Sequence, residues 1–491
     1  MPLDEITARR QRLADIRKQG IDPYPSSARR THEVREVLEE FENLLEKKAK
    51  IIICGRAMTI RRHGGATFIT VRDNGYNLQV YCKRDIVGSA DYKLIGEYDL
   101  GDFLEIAGTL FVTHKGERTL LADGPLRLLA KALRPLPEKW HGLSDVETRY
   151  RKRYLDLLMN SETRIIQLAR SNIIKALRDY LDSQGFIEVE TPILQSIPGG
   201  ASARPFITHL NALDIDLYLR VAPELYLKRL LIGGFTKIYE VARCFRNEGI
   251  DHAHNPEFTQ IELYQAYVDY SYLMNLVEEL MSSLIMKISG KLELTYDGQL
   301  INFKRPYAVM EWLPTLEKAM GETIGPLSDD KLRILFIENG IEIEEFDSRG
   351  TMLDKAYKKF VRPFIVQPTF LINHPVCLSP LAKRSGNNSD SAERFQLVVG
   401  GGVELVNGFS ELNDPIDQRS RLEEQERLRQ AGDEEAQRID EDFLEALEYG
   451  MPPAAGLGMG IDRLAALLTG NHSLKEVIMF PTMRPKEKGG E

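Results

Sequence analysis

A chain of 491 residues is too long for one hydrophobic core, so two domains of unequal size are expected. With 43% hydrophobic and 28% charged residues, no bilayer-length apolar run and a charged opening, MPLDEITARRQ, it reads as a soluble cytoplasmic protein rather than a membrane or secreted one. The net charge of −9 does not exclude a nucleic-acid partner: residues 419–448, read as one acidic helical segment, hold eleven Asp/Glu against five Lys/Arg, while residues 1–35 hold eight Lys/Arg against five Asp/Glu. Cys54, Cys82, Cys244 and Cys377 form no CxxC pair, which argues against a zinc ribbon or disulfide framework and fits a reducing compartment.

In chain order, residues 1–48 form a helical extension, with charged helices over Leu3–Gln19 and about Val34–Lys48 separated by the prolines of IDPYPSS. Short alternating strands fill 49–133: IIICGRAM, ATFITVRDNG, NLQVYC, FLEIAGTLFVTH and RTLLA. Asp-Asn-Gly after Arg72 marks a tight hairpin. Five such strands suggest a small barrel of the oligonucleotide-binding (OB) kind, with a β-rich structural module as the equal alternative. RPLPEKWHGL lies in a linker, 134–150, and ETRYRKRYLDLLMN is a basic helix that could touch RNA or a neighbouring domain. Residues 151–491 form the larger domain. Its first helix, 163–184, stops at Gly185, and FIEVETPIL follows as a strand running into Pro192.

The residues that carry chemistry lie in FRNEG, HNPEF and TQIELYQAY, a strand, a polar loop and a returning strand. Period-two geometry puts Phe258, Gln260, Glu262 and Tyr264 on one face, and Glu240, Ala242, Cys244 and Arg246 on one face of the leading strand. Arginine, carboxylates and rings on one surface are poor core material and suit a ligand with phosphate and ammonium groups. There is no GxxxxGK[ST] loop and no GxGxxG opening a βαβ unit. GLGMGIDRL instead feeds a glycine-rich strand into a helix that begins near Arg463, where a phosphate is welcome. In NGFSELND, Asn407, Phe409 and Glu411 share a strand face, and in VAPELYLKRL Glu224 begins a helix. Taken singly, each of these is more often a solvated charge or a core ring.

These strings resemble the signature motifs of class II aminoacyl-tRNA synthetases, and the whole chain is similar to the bacterial-type lysyl-tRNA synthetase family. The resemblance implies an α+β protein: an N-terminal OB-fold β-barrel that binds the anticodon, followed by a class II antiparallel-sheet catalytic domain. It implies a homodimer, ATP and Mg²⁺ as cofactors, and L-lysine and tRNA(Lys) as substrates. Arg246 and Arg463 match the catalytic arginines; with Glu248, His254, Asn255 and Phe258 they match the ATP-binding set. Gly200, Glu224, Glu262, Tyr264, Asn407, Phe409 and Glu411 match the lysine pocket. Glu224 and Glu262 are expected to hold the α-amine, and Glu411 with Tyr264 the ε-amine. Arg61, Phe68, Gln79 and Glu117 match the anticodon-reading set. At the metal site Glu404 matches, but Gln396 stands where a glutamate is expected, so metal use is expected to be weakened or partly shifted to Glu393. An aspartate-specific relative needs a cation at Glu411, and a lysine-to-protein ligase of this family lacks the barrel. A non-catalytic tRNA-binding descendant is disfavoured by the intact Arg246, Glu262 and Arg463.

Overall fold

A computed structural model describes residues 3–137, 143–345, 347–386, 388–433 and 436–485, and divides into two compact units, Met1–Ser161 and Glu162–Glu491. In the first unit the helix Leu3–Lys18 is followed by two short helices, Val34–Glu39 and Phe41–Glu46, where one was expected. Each buries a pair of side chains, Val34 with Val37 and Phe41 with Leu44. Six strands follow: β1 (Ile51–His63), β2 (Ala66–Asp73), β3 (Tyr76–Lys83), β4 (Phe103–Val112), β5 (Arg118–Ala122) and β6 (Arg127–Ala130). β1 pairs with both β2 and β4, and β3 pairs with β5 in parallel, so five strands close into the OB-fold barrel and β6 adds to β4. Alternate residues such as Ile53, Ile69, Val71, Val80, Ile106 and Leu120 fill its interior. The β2–β3 turn places Asn74 and Gly75 at φ 49° and 90°, the left-handed pair that a two-residue hairpin requires.

One end of the barrel is closed by charge. The Lys131 ammonium, fully buried, lies 2.6 Å from Asp99 and 2.8 Å from Asp102, while Arg12 also binds Asp99 and Arg9 donates to the carbonyls of Leu100, Ala132 and Arg134. The linker expected at 134–150 includes residues 138–142, which lie outside the described residues. The basic run beyond it forms helices Val146–Arg151 and Arg153–Met159. Its arginines are largely paired internally, Arg149 and Arg153 with Asp156 and Arg151 with Glu147, so this surface is less cationic than its sequence.

In the second unit the helix Ser161–Ser183 ends before Gly185 at φ 79°. FIEVETPIL is not the continuous strand expected. Only β7 (Ile187–Glu188) joins the main sheet, because the chain turns off near Pro192, which has no N–H to donate. The other strands along that sheet are β8 (Lys237–Phe245), β9 (Glu257–Ala266), β10 (Ala308–Glu311), β11 (Thr369–Pro375), β12 (Asn388–Val399), β13 (Val403–Ser410) and β14 (Ala454–Gly460), and a two-residue strand, Arg384–Ser385, pairs with β12 off this path. Their spatial order is β10-β11-β12-β13-β14-β9-β8-β7, antiparallel except for the end pairs β10–β11 and β7–β8. One face is buried by the helices Ser161–Ser183, Tyr270–Ser289 and Ile461–Leu468, through residues such as Leu177, Met281, Leu457, Met459 and Leu464. The acidic segment is two helices, Pro415–Gln430 and Glu441–Glu448, the second capped by Asp440. Among the described residues no helix is long and apolar enough to cross a membrane.

Replacing Lys131 with Met takes the counter-charge from the buried Asp102 and leaves the partly buried Asp99 with Arg12 alone. The expected cost is about 3–5 kcal/mol, read as a lowered melting transition of the full chain by calorimetry. An unchanged thermogram would show that this ion cluster does not hold the barrel end together.

Candidate active site

The sheet's other face carries the site. Register sets Glu240, Glu262, Gly458, Asn407 and Gln396 side by side across five neighbouring strands. The next row is Ile238, Tyr264, Gly456, Phe409 and Arg394. Glu404 and Asn407, three residues apart, reach the same face because β13 bulges between them. The glycines of β14 are the floor. A Cβ at Gly456 would collide with the Tyr264 ring and with Glu411 Oε1, whereas one at Gly458 would make only an ordinary 3.6 Å contact with Glu262. Gly200 forms part of the wall at φ 87°, and a Cβ there would come within 2.9 Å of Glu224 Cβ.

Asp462 ties the pieces together. Its carboxylate accepts from Arg170 on the first helix at 2.8 and 3.0 Å and from the backbone N–H of Thr259 on β9 at 2.8 Å. The cleft so formed encloses about 1170 Å³ of space, the open solvent at its mouth included. It is lined by Gly200, Glu224, Arg246, Glu248, His254, Asn255, Phe258, Glu262, Tyr264, Glu404, Asn407, Phe409 and Arg463 together. Two of the residues expected there, Glu411 and Gln396, do not line it.

At the amino-acid end, Glu262 accepts from Gln260 at 2.6 Å and from the Tyr264 hydroxyl at 3.0 Å. The Tyr264 hydroxyl therefore faces Glu262, while its ring faces Gly456 and Glu411. Burial, reinforced by Glu224, raises the Glu262 carboxyl well above the usual range. Glu411 sits one layer behind the lining, 1% exposed. Its Oε2 lies 2.6 Å from the ammonium of Lys228, an ion pair off the line of a good hydrogen bond, and its Oε1 has no partner. Burial, against the pull of Lys228 and with the push of Glu224, brings Glu411 up to about 8. Lys228 also binds Glu224, at 2.7 Å. Arg394 donates to the Asn407 side-chain oxygen at 2.8 Å and so fixes which way that amide points.

At the other end Arg246 lies 4.9 Å over the Phe258 ring, and its buried Nε has no acceptor. An orphaned guanidinium N–H in a cleft is a waiting anion contact. Arg463, mostly buried, faces the same space; burial and the neighbouring Arg362 and Arg246 outweigh Glu404 and lower its pKa. The loop between the strands is folded on Asp251, whose Oδ1 accepts from the backbone of Ala253 and His254 and whose carboxylate meets the His254 ring at 2.9 Å. Asn255 is held by the Glu257 carbonyl and by the backbone of Thr482.

Among the described residues no group of three or more His, Cys, Asp or Glu could cage a metal. Glu404 lines the cleft. Gln396 is turned to the buried ring of His374, which burial and Arg394 hold well below the usual histidine range. Glu393 cannot replace it, because it lies one residue from Arg394 and so on the opposite face of β12, in the field of Tyr270. The donors therefore fit a Mg²⁺ carried mainly by phosphates, with Glu404 as its protein carboxylate.

On the barrel, a chain of hydrogen bonds runs from Arg61 to Gln79 (2.9 Å), from Gln79 to Thr119 (3.0 Å) and from Thr119 to the Glu117 carbonyl (3.1 Å). Beside it Phe68 stacks on Tyr81, centroids 4.7 Å apart, and Tyr81 meets Phe111 at 6.0 Å. Sequence reading did not single out Lys228, Asp251, Asp462, Arg394, Tyr81 or Phe111. Lys228 was within reach, one helical turn from Glu224; Tyr81 and Phe111 depend on strand pairing.

Two family models cover the chain: an OB-fold nucleic acid binding domain over residues 51–134, and tRNA synthetases class II (D, K and N) over residues 145–484. A lysine–tRNA ligase of Pelotomaculum thermopropionicum is 49% identical over 485 residues, 98% of this chain and 95% of the relative. That of Carboxydothermus hydrogenoformans is 49% identical over 483 residues, 98% of each. That of Enterococcus faecalis is 45% identical over 487 residues, 98% and 97%. With its signature motifs gathered round one cleft and its full length shared with these relatives, the chain belongs to the class II tRNA synthetases, in the branch whose members are named lysine–tRNA ligase.

Proposed function

We propose that this chain charges tRNA(Lys) with L-lysine at the expense of ATP. The observation that carries the reading is the meeting of Glu224, Glu262 and the orphaned Arg246 guanidinium in one cleft. Lysine brings two ammonium groups and one carboxylate; the cleft offers acids at one end and arginines at the other. Glu262 and Glu224 hold the α-ammonium, and the free Oε1 of Glu411, reached past Gly456 and the Tyr264 ring, takes the ε-ammonium. Asn407, oriented by Arg394, steadies the substrate. Adenine stacks on the face of Phe258 left open by Arg246, with Glu248, His254 and Asn255 at its rim.

In the first step a carboxylate oxygen of lysine forms a bond to the α-phosphorus and the bond to pyrophosphate breaks. The nucleophile is already ionised, so no base is required. Catalysis rests on alignment and on neutralising phosphate charge by Arg246 and Arg463. When bound, Mg²⁺ would have Glu404 as its carboxylate from this chain and would add to that neutralisation. In the second step the terminal ribose hydroxyl of tRNA attacks the lysyl carbonyl and AMP leaves. The Phe68–Tyr81 platform, with the Arg61, Gln79 and Glu117 groups, supports stacking and edge reading of splayed anticodon bases. Exposed Ile187, Ile193 and Leu194 near Pro192 support a homodimer, which sedimentation at assay concentration tests; a monomer would contradict it.

Arg246→Ala is expected to lower lysine-dependent ATP–pyrophosphate exchange by about a hundredfold or more. Near-normal exchange would remove Arg246 from this role. Because a carboxyl must lose its proton to hold an ammonium, and Glu411 does so only near pH 8, kcat/KM for lysine is expected to climb from pH 6 toward that value. Glu411→Gln should leave a lower profile without that contribution; an unaltered profile would contradict the assignment of Glu411.

A further inference from the structure

Lys228 is a buried cation inside a site built to receive cations. It is 0% exposed, lies 2.7 Å from Glu224 and 2.6 Å from Glu411, and stands 5.4 Å over the ring of Phe409. Phe443, from the helix Glu441–Glu448, closes the far side at 5.9 Å. The helix Glu224–Ile232 presents Glu224 and Lys228 one turn apart on the side facing the sheet and buries Leu225, Leu227 and Leu231 around them. An unpaired lysine in such a place would shed its proton. Here burial opposes the charge, but the two carboxylates outweigh it and Lys228 is held above the ordinary lysine range.

We infer that Lys228 is a positioning and specificity residue for the amino-acid substrate: by engaging Glu411 Oε2 and Glu224 Oε1 it fixes Glu411 with Oε1 turned to the pocket and sets the charge of the site to match a dication. The inference rests on the lysine reading of this cleft. Three carboxylates and one ammonium leave a net −2 when all are ionised, equal and opposite to the two ammonium groups of lysine; Arg246 answers the substrate carboxylate. Without Lys228 the three acids lie close together in a low-dielectric site, and Glu411, already raised with Lys228 in place, is pushed higher still and holds its proton more tightly. A protonated Glu411 no longer attracts an ε-ammonium. The groups facing this cluster are Glu262 and Tyr264 from β9, Arg394 from β12, and the rings of Phe409 and Phe443. None of these offers a second cation in contact with Glu411.

The test is steady-state ATP–pyrophosphate exchange with Lys228→Met, which keeps an unbranched side chain one atom shorter and removes its charge. At pH 7 the KM for lysine is expected to rise about tenfold or more, the KM for ATP to stay within about twofold, and the lysine defect to shrink as pH rises from 7 to 9, because Glu411 of the parent protein completes its ionisation near 8 while that of the variant is still gaining. A lysine KM like that of the parent protein, or a defect equal at pH 7 and pH 9, would overturn the inference. Should Lys228→Met fail to fold, Lys228→Met combined with Glu411→Gln removes the pair together. Its lysine KM should match that of Glu411→Gln alone, and a further tenfold rise would overturn the inference. Glu262→Gln and Glu411→Gln serve as controls: lysine KM values unmoved by both would mean that the pocket assignment, not the role of Lys228, has failed.

Discussion

Buried carboxylates around the cleft are given a counter-charge or hydrogen bonds, and that constraint organises the site. Taking a carboxylate out of water costs several kcal/mol unless a counter-charge or hydrogen bonds replace the solvent. Glu240 has Arg220 and Thr191, Asp462 has Arg170 and the Thr259 amide, and Glu224 has Lys228. Among the buried polar atoms that the fold leaves without a hydrogen bond, two bear on the site: one oxygen of Glu411 and the Nε of Arg246. Those two gaps sit at the two ends where a zwitterion with a cationic tail and a triphosphate would supply the missing partners. Their cost to the empty protein becomes binding energy when a substrate fills them.

The sheet makes this arrangement possible. Antiparallel register carries each row of side chains straight across neighbouring strands, so acids from β9 and an amide from β13 become neighbours although more than a hundred residues separate them. Between them β14 contributes no side chain at all. Leu457 and Met459 point into the core while Gly456 and Gly458 give the opposite face its depth. Asp462, just past the last glycine, then locks β9 and the first helix to this strand. One short segment thus sets the floor of the cleft and ties two neighbouring elements to it.

Much of this was legible in the sequence because it is local. Period two put Phe258, Glu262 and Tyr264 on one face, and Asp-Asn-Gly fixed a hairpin. What escaped is what only three-dimensional packing decides. The strand expected at FIEVETPIL leaves the sheet after two paired residues, ahead of Pro192, although its partner runs on to Phe245. The helix expected over 34–48 divides at Glu40, where backbone torsions leave the helical range. Glu411 shares its strand parity with Asn407 and Phe409, yet it falls past the end of β13, where its Oε2 reaches Lys228 and its Oε1 lies behind the cleft-lining Gly456. The aromatic row on the barrel needed the pairing of β2 with β3 before Tyr81 could be seen beside Phe68.

The central claim is that the cleft selects its substrate by the ammonium at the end of the side chain. Equilibrium titration of the intact protein with lysine, and with norleucine, which has the same carbon chain but no ε-ammonium, measures this directly. The account predicts that norleucine binds weaker by about a hundredfold or more, the worth of one desolvated charge-assisted contact at roughly 3 kcal/mol. Comparable affinities for the two would mean that the buried acids do not read the side chain.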